Sequence, residues 1–240
     1  MRYILLVIFS ILQIFVVEAK PLQHKKTHSL YYAESEQDKF VHTHFFMNKK
    51  NGIFVDIGAH AGIYYSNTYF FEKKLGWHGI CIEPSPQRFS RLQSNRQCIC
   101  IQGAITNNEE KTMKFIDVGA GWVSGLVEKY DPQHFIKHHI ADRIKRGDAK
   151  IFDVQCFKLN DLLNQYGIHK VDFLSIDTEG GELEILQSID FDTNKIDVIC
   201  VENIYRDPQF ERFMKSKGYQ YITRLKRDQI YKRIGMIKAD

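Results

Sequence analysis

"NGIFVDIGAHAGIYYSNTYFFEKKLGWHGICIEPSP", residues 51–86, contains two apolar runs that each end in an acid, first Asp56 and then Glu83. Gly58 and Gly62 follow the first acid, where a chain leaving a strand has to turn, and a helical pattern then leads to the second run. The stretch therefore predicts a strand, a glycine turn, a helix and a second strand. This order is typical of α/β proteins.

The same alternation continues along the rest of the chain. Further strands are predicted over residues 98–105, 112–118, 171–177 and 196–203. Helices are predicted over residues 34–46, 63–76, 85–96, 179–189 and 208–218, and a closing hairpin over 219–225 and 229–235. Several strands are apolar at consecutive positions, as strands are when helices cover both faces of a sheet. We therefore predict a doubly wound, Rossmann-like α/β fold: a mostly parallel twisted sheet with helices on both faces and a C-terminal antiparallel hairpin.

The composition fits one globular domain of ordinary size. The chain has 240 residues, 44% of them hydrophobic and 26% charged. Its net charge of +4 comes from interspersed residues, so no nucleic-acid partner is expected. We predict a signal peptide or membrane anchor over residues 1–19, an N-terminal extension with a helix over 20–50, and the main domain over 51–240.

The N-terminus has the pattern of a targeting segment. Arg2 precedes an apolar stretch over residues 3–17, and Ala19 stands at a plausible cleavage position. The stretch is shorter than the roughly 20 residues that span a bilayer comfortably. A cleaved signal peptide is therefore the first interpretation, and an uncleaved anchor is the second. The expected localisation is the secretory pathway, or a membrane reached through residues 3–17. If the segment is an uncleaved anchor, the lysines that follow it favour a domain facing the cytoplasm.

Four acids follow separate predicted strands, namely Asp56, Glu83, Asp177 and Glu202. In doubly wound sheets ligands bind at the carboxyl ends of the strands, so we expect these acids to meet at one edge of the sheet.

The glycine turn does not match a phosphate-binding motif. Counted from Gly58, the dinucleotide fingerprint G-x-G-x-x-G needs glycines where the chain has His60 and Ile63, which argues against an NAD-dependent oxidoreductase. Glu83 lies near the spacing at which an acid takes the hydroxyls of a ribose. A nucleoside without a pyrophosphate fits best, and S-adenosylmethionine, with its cationic amino and sulfonium groups, is such a ligand.

These motifs resemble the FkbM family of S-adenosylmethionine-dependent methyltransferases, within the class I Rossmann-like superfamily. The resemblance rests on "EQDKF" (36–40), residues 52–86, "VDFLSIDTEGGELEIL" (171–186) and "DQIYKR" (228–233). It implies a methyltransferase domain over 51–240 with S-adenosylmethionine as cofactor. It also implies that the methionine end of the cofactor is lined by Asp56, Gly58, His60 and Gly62, and that Glu83 holds the ribose.

Asp177 and Glu179, in "DTEGGE", are the candidate catalytic residues. Asp177 is expected in the cleft beside the methyl donor, where it also contacts the cofactor. Glu179 is expected to orient the acceptor or take its proton. The alternative is that Glu179 and Glu182 only favour the start of the following helix through its dipole.

A metal site is an alternative at the same strand ends. Oxygens of Asp177, Glu202 and Asn203 could hold Mg²⁺ against an acceptor hydroxyl, as in catechol-type O-methyltransferases. The FkbM resemblance does not require a metal, so none is predicted.

The segment between the strands at 112–118 and 171–177 contains a glycine-rich stretch and a group of histidines. Residues 119–125, "GAGWVSG", are a surface loop or a cover for the acceptor. His134, His138 and His139 are a solvated face or an acceptor-binding lid rather than a metal cluster, because no acid has a matching spacing.

The predicted function is transfer of a methyl group to an oxygen of a sugar, lipid or secondary metabolite. The expected partner is thus a small-molecule or glycan acceptor. The oxygen preference comes from the family resemblance. The alternative is a non-catalytic interaction protein of the secretory pathway that keeps this fold. The N-terminal segment motivates it, because the methyl donor is made in the cytosol.

Overall fold

A computed structural model describes residues 30–119, 123–130 and 132–236. The helices are α1 (Gln37–Phe45), α2 (Tyr69–Leu75), α3 (Pro86–Asn95), α4 (Pro132–Lys137), α5 (Ile140–Arg146), α6 (Leu159–Gln165), α7 (Glu182–Ser188) and α8 (Gln209–Ser216). The strands are β1 (Ile53–Ile57), β2 (His78–Glu83), β3 (Ile99–Gln102), β4 (Ala104–Ile105), β5 (Thr112–Val118), β6 (Gly125–Leu126), β7 (Ala149–Phe157), β8 (Lys170–Ile176), β9 (Lys195–Glu202), β10 (Tyr219–Leu225) and β11 (Asp228–Arg233).

Seven strands form one sheet in the order β10-β11-β9-β8-β1-β2-β3. All neighbours in this sheet are parallel except that β11 runs antiparallel to both β9 and β10. From β1 the chain continues outward through β2 and β3, and it returns to the other side of β1 with β8. The predicted Rossmann-like fold and C-terminal hairpin are therefore confirmed, and the switch point of the strand order lies between β1 and β8.

Helices cover both faces of this sheet, as the continuous apolar strands predict. Val55 and Leu174 pack in one hydrophobic cluster, whereas Phe54 and Phe173 pack in a separate cluster on the other face. Side chains alternate across a strand, so each central strand contributes to both cores and exposes neither face to water.

The structure also contains a second sheet, with strand order β4-β7-β5-β6, which the sequence analysis does not predict. No element is predicted over β7 and α6, because β7 is half-exposed and its sequence mixes charged and apolar residues. The single strand predicted over residues 98–105 is interrupted at Gly103. A Cβ there would lie 2.6 Å from the carbonyl oxygen of Gln155 on β7, so the break accommodates the second sheet.

The helix predicted over 63–76 begins only at Tyr69, although it ends at Gly76 as expected. Residues 63–68 form a turn instead. The hydroxyl of Thr68 donates to Asp56 at 2.6 Å, and the amide of Tyr69 donates to the Ser66 hydroxyl at 3.1 Å. These side-chain hydrogen bonds compete with helical ones and delay the start of the helix. By contrast, Ser85 caps α3 as predicted, accepting from the Arg88 amide.

In the described parts of the chain, no helix is long and apolar enough to cross a membrane. The predicted signal peptide or anchor over residues 1–19 lies outside the described residues. Trp122 of the glycine-rich stretch lies outside them as well.

Arg96 joins the second apolar core to the turn after β1. Its side chain is fully buried, and its Nε lies 2.5 Å from Glu72 Oε2. Its Nη2 donates to the Thr68 hydroxyl at 3.0 Å, and its Nη1 lies 4.0 Å from Asp56 Oδ2. The carbonyl of Gly62 accepts from Nη1 at 3.3 Å. The guanidinium therefore pairs with two buried carboxylates and fixes the turn.

Arg96→Met is expected to lower the free energy of unfolding by about 3–5 kcal/mol, because it leaves Asp56 buried without its cation and Glu72 with only Lys73 at 3.9 Å. Arg91→Met removes the same charge from an exposed position of α3, the helix that ends just before Arg96, and is the matched control. Urea denaturation of both variants measures the difference. Equal denaturation midpoints for the two would contradict the structural role of Arg96.

Candidate active site

The turn after β1 brings three strand ends together. The amides of Gly58 and Ala59 each donate to the carbonyl of Ile82 at 3.0 Å, and the Asp177 amide donates to the carbonyl of Ile57 at 3.0 Å. Gly58 has φ +88, and a Cβ there would lie 1.7 Å from the Asp177 carbonyl oxygen. Only glycine allows this approach, and the backbone left open by it lines a cavity of about 240 Å³.

Glu83 is held at the end of β2 by two backbone amides. Its Oε2 accepts from the His60 amide at 2.9 Å, and its Oε1 accepts from the Ser85 amide at 2.8 Å. The side chain is 4% exposed and lies on the cavity wall. Burial raises the pKa of Glu83 to about 7, although the two amides and Arg88 oppose the shift. Each carboxylate oxygen keeps acceptor capacity, so the group can take two ribose hydroxyls.

Of the four residues expected at the methionine end of the cofactor, three line the cavity and one does not. Asp56, Gly58 and His60 lie on the cavity wall. Gly62 is not among the residues that line the cavity. A Cβ there would lie 2.6 Å from Leu92 Cδ1, so Gly62 packs against α3. Burial, with Arg88 and Arg91 nearby, lowers the pKa of His60 to about 4, and the imidazole is therefore neutral at physiological pH.

Asp177, Glu179 and Glu202 form an acidic cluster at the ends of β8 and β9. One carboxylate oxygen from each lies within 4.8 Å of the others. Asp177 is exposed to the cavity that it lines, whereas Glu179 is half-buried and Glu202 is buried. Burial raises the pKa of Asp177 to about 7, with Asp228 and Glu182 adding to the shift. Burial and the Asp177 charge raise the pKa of Glu179 to about 9. Near neutral pH, Asp177 is thus partly ionised, whereas Glu179 stays protonated.

Glu182 supports the loop rather than the cavity. One of its oxygens accepts from the Gly180 amide at 2.7 Å and from the Thr178 hydroxyl at 2.9 Å. This contact holds Glu179 in a left-handed conformation (φ 56) that directs the loop around the cluster. The structural interpretation of Glu182 is therefore favoured, with a loop cap as its physical basis.

The catechol-type metal arrangement is only partly present. The side-chain Nδ2 of Asn203 donates to the carbonyl of Asp207 and to Gln229 Oε1, each at 3.0 Å. Its Oδ1 accepts from the backbone amide of Asp207. These bonds occupy Asn203, so the oxygens that hard divalent cations prefer come instead from Asp177, Glu179 and Glu202. In the described ranges, no such group of ligands includes His138 or His139.

Several residues that line the cavity belong to no sequence motif that predicts a binding site. Thr106, Phe115 and Leu126, from the second sheet and its connections, line the end near Glu83. Ser124, from the described part of the glycine-rich stretch, also lines it and accepts from Arg88 at 2.9 Å. The opposite end is lined by Glu34, Gln37, Lys226, Arg227 and Asp228.

A doubly wound sheet with a glycine turn, a carboxylate suited to ribose hydroxyls and an acidic cluster at its switch point defines a Rossmann-like nucleoside-binding enzyme of the class I methyltransferase type. The chain belongs to the FkbM methyltransferase family, since the model of the "Methyltransferase FkbM domain" matches residues 56–221. S-adenosylmethionine is accordingly its cofactor.

Individual relatives are more distant. The chain is 31% identical over 111 residues to Methyltransferase sdnD of Sordaria araneosa. This aligned stretch covers 41% of this chain and 42% of that protein. The chain thus spans less than half the length of this relative. Among solved structures, a methyltransferase from Geobacter sulfurreducens is 9% identical with a TM-score of 0.43, covering 85% of this chain and 82% of that one. The N-terminal domain of human METTL16 is 12% identical with a TM-score of 0.42, covering 81% and 65%.

Proposed function

We propose that this protein methylates a hydroxyl oxygen of a small-molecule or glycan acceptor, such as a sugar, lipid or secondary metabolite. The observation that carries the proposal is the acidic cluster at the switch point, where burial raises the pKa of Asp177 to about 7. A group that titrates near the working pH is suited to accept a proton as the reaction proceeds.

The residues of the cofactor site fit S-adenosylmethionine. Gly58 lets the ends of β1 and β8 approach each other at the cavity wall, and Glu83 presents a fixed carboxylate for the ribose. When bound, the cofactor supplies a methyl group on a sulfonium, which is already a good electrophile. The protein has to align the acceptor and exclude water.

The two candidate catalytic residues have separate roles in this proposal. Ionised Asp177 takes the proton of the acceptor hydroxyl. Protonated Glu179 donates a hydrogen bond and holds the acceptor in position. Glu202 is buried beside both and also lines the cavity.

Asp177→Asn is expected to lower methyl transfer by about 10²–10⁴-fold, the usual contribution of a positioned proton acceptor. Transfer of a radiolabelled methyl group from S-adenosylmethionine to a panel of hydroxylated sugars, glycolipids and phenols measures this loss. Asp153→Asn, which changes an exposed acid on β7, is the matched control. Undiminished transfer by Asp177→Asn would remove its catalytic role. Transfer only to nitrogen or carbon acceptors would overturn the oxygen preference.

The N-terminal segment supports a second proposal, on localisation. We propose that residues 3–17 direct the chain to the secretory pathway or hold it at a membrane. N-terminal sequencing of the protein purified from a eukaryotic host, with protease protection of its membrane fraction, separates cleavage from anchoring. A fully soluble cytosolic product with an intact N-terminus would contradict both.

The same segment motivates the non-catalytic alternative, an interaction protein of the secretory pathway. Calorimetric titration with S-adenosylmethionine discriminates between the two functions. A folded protein that fails to bind this ligand would favour the interaction protein.

A further inference from the structure

Three cysteines lie together on the face of the main sheet that carries Phe54 and Phe173, away from the cavity. Cys81 is fully buried in β2, and Cys100 is its register partner on β3. Cys98 stands one position before β3 and packs against the same hydrophobic cluster as Cys81 and Cys100. The proposed methyl transfer does not use these three thiols.

Two of the sulfurs are close enough to react with each other. Cys98 Sγ lies 3.5 Å from Cys81 Sγ, and both residues are free thiols in this structure. We call Cys98 and Cys81 the thiol pair. A disulfide has a sulfur separation of about 2.05 Å, so the pair has to close by roughly 1.5 Å. Cys100 donates to the carbonyl oxygen of Cys98 at 3.6 Å and is thereby held beside the pair.

The two members of the thiol pair differ in reactivity. The neighbouring thiols of Cys100 and Cys81, together with the charge of Arg96, hold the pKa of Cys98 well below that of an ordinary thiol. Burial raises the pKa of Cys81 instead. Cys98 is half-buried beside β3, the last strand of the sheet, whereas Cys81 has no exposed surface. Because the thiolate is the nucleophile, Cys98 reacts first, and Cys81 is placed to react with the product.

We propose that the thiol pair is a redox-active site, which hydrogen peroxide oxidises to a disulfide between Cys98 and Cys81. The sulfur of Cys98 attacks the peroxide, so that an S–O bond forms, the O–O bond breaks and the departing hydroxide takes a proton to become water. The sulfur of Cys81 then attacks the resulting sulfenic acid. The S–S bond forms, the S–O bond breaks, and the second oxygen leaves with the Cys81 proton as water. Two thiols are oxidised while one peroxide is reduced to two waters.

Glu72 holds the chain immediately before Cys98. Its Oε1 accepts from the backbone amide of Gln97 at 2.9 Å, and its Oε2 lies 2.5 Å from Arg96 Nε. Since Cys81 is buried within β2, residue 98 at the start of the outer strand makes most of the movement that bond formation requires. That movement pulls Gln97 and Arg96 away from the Glu72 carboxylate.

Arg96 carries this movement to the cofactor site. Its guanidinium donates to the carbonyl of Gly62 and to the hydroxyl of Thr68, both in the turn after β1. The same turn lines the cavity through Gly58 and His60. Disulfide formation therefore loosens the turn and lowers the affinity for S-adenosylmethionine.

The first experiment is treatment of the full chain, reduced and then freed of reductant, with equimolar hydrogen peroxide. The wild type should lose two free thiols and the mass of two hydrogen atoms. Trypsin separates the members of the pair, because Arg88 and Arg96 lie between them in the sequence. Peptide mapping with fragmentation should therefore find the peptide of Cys81 joined to that of Cys98.

Three variants assign the reaction to the pair. Cys98→Ser should keep its remaining thiols, since the nucleophile is gone. Cys100→Ser should still form the disulfide. Cys156→Ser, which removes a half-buried thiol on β7, is the matched control and should react like the wild type. If Cys98→Ser does not fold, the double variant Cys81→Ala with Cys100→Ser tests the same step, because Cys98 should stop at the sulfenic acid that dimedone traps.

Three results would overturn the redox-active pair. They are loss of thiols by Cys98→Ser as fast as by the wild type, a wild-type disulfide that joins two chains or contains Cys100, and a double variant that forms no dimedone adduct on Cys98.

Calorimetric titration with S-adenosylmethionine tests the link to the cofactor turn. The oxidised wild type should bind at least about 5-fold more weakly than the reduced one, the lower end of usual couplings between sites, and dithiothreitol should restore the affinity. Peroxide should leave the affinity of Cys98→Ser unchanged. Equal affinities of the oxidised and reduced wild type would overturn the link to the turn. The thiol measurements need neither cofactor nor acceptor, so their result is independent of the proposed function.

Discussion

Replacing Gly58 by alanine is expected to lower the free energy of unfolding by about 2–5 kcal/mol and to abolish cofactor binding. The added Cβ would lie 1.7 Å from the Asp177 carbonyl oxygen. That atom belongs to the backbone, and the Asp177 amide is itself bonded to Ile57. No change of side-chain rotamer can relieve the overlap. The ends of β1 and β8 would have to separate at the point where the cofactor binds.

Gly218→Ala is the matched control for this substitution. Gly218 has φ +80, close to the +88 of Gly58, but a Cβ there meets nothing within 4 Å. It should lose only the 1–2 kcal/mol or so that the left-handed conformation itself requires of a residue with a side chain. Guanidinium denaturation and calorimetry with S-adenosylmethionine measure both variants. If Gly58→Ala binds the cofactor like the wild type, the close contact between β1 and β8 does not shape the site.

The second large effect is expected at Glu83, where Glu83→Ala should weaken S-adenosylmethionine binding by about 100-fold. Hydrogen bonds to a charged group contribute about 1.5–3 kcal/mol each, and the carboxylate can accept two ribose hydroxyls. Glu83→Gln keeps the shape and one good acceptor, so an intermediate loss of about 10-fold is expected.

Glu83→Ala also removes the partners of the His60 and Ser85 amides, so a direct effect has to be separated from loosening of the loop. A 2′,3′-dideoxy analogue of S-adenosylhomocysteine makes this separation. If Glu83 binds the ribose, the substitution should weaken the parent ligand far more than the analogue. Equal losses for both would assign Glu83 to the loop alone.

The pH dependence of binding gives a further check on Glu83. Burial places its pKa at about 7, and the ionised form is the better acceptor. Affinity for S-adenosylhomocysteine should therefore rise as the pH increases through 7 in the wild type. It should show little such rise in Glu83→Gln, which has no carboxyl group to titrate at this position.

The strand, turn and helix order of the main sheet could be predicted because its signals are local. Consecutive apolar residues in β8 and β9, the Ser85 cap and the Gly76 terminus each depend on neighbours within a few positions. The acids at the strand ends were also accessible to sequence reasoning. A parallel sheet brings the carboxyl ends of its strands to one edge whatever the loops between them do.

The second sheet could not be predicted, since β7 pairs with β5 and β4 through contacts that no local pattern reports. The contacts of Gly62 could not be predicted for a related reason. Its missing Cβ makes room for Leu92 of α3 and for Arg96, which follows that helix, and only the packing of α3 against the turn reveals this.

By itself, the sequence determined the Rossmann-like fold, the glycine turn and the four acids at the cofactor edge, because periodicity and residue type act over short distances. Only the tertiary structure decided the ionisation of those acids and the contact between α1 and β11. The pKa of Asp177 reflects burial and charges from several elements, and Gln37 meets Asp228 across 191 positions of sequence. Electrostatic and packing energies depend on distance in space, and that distance is set only when the whole chain has folded.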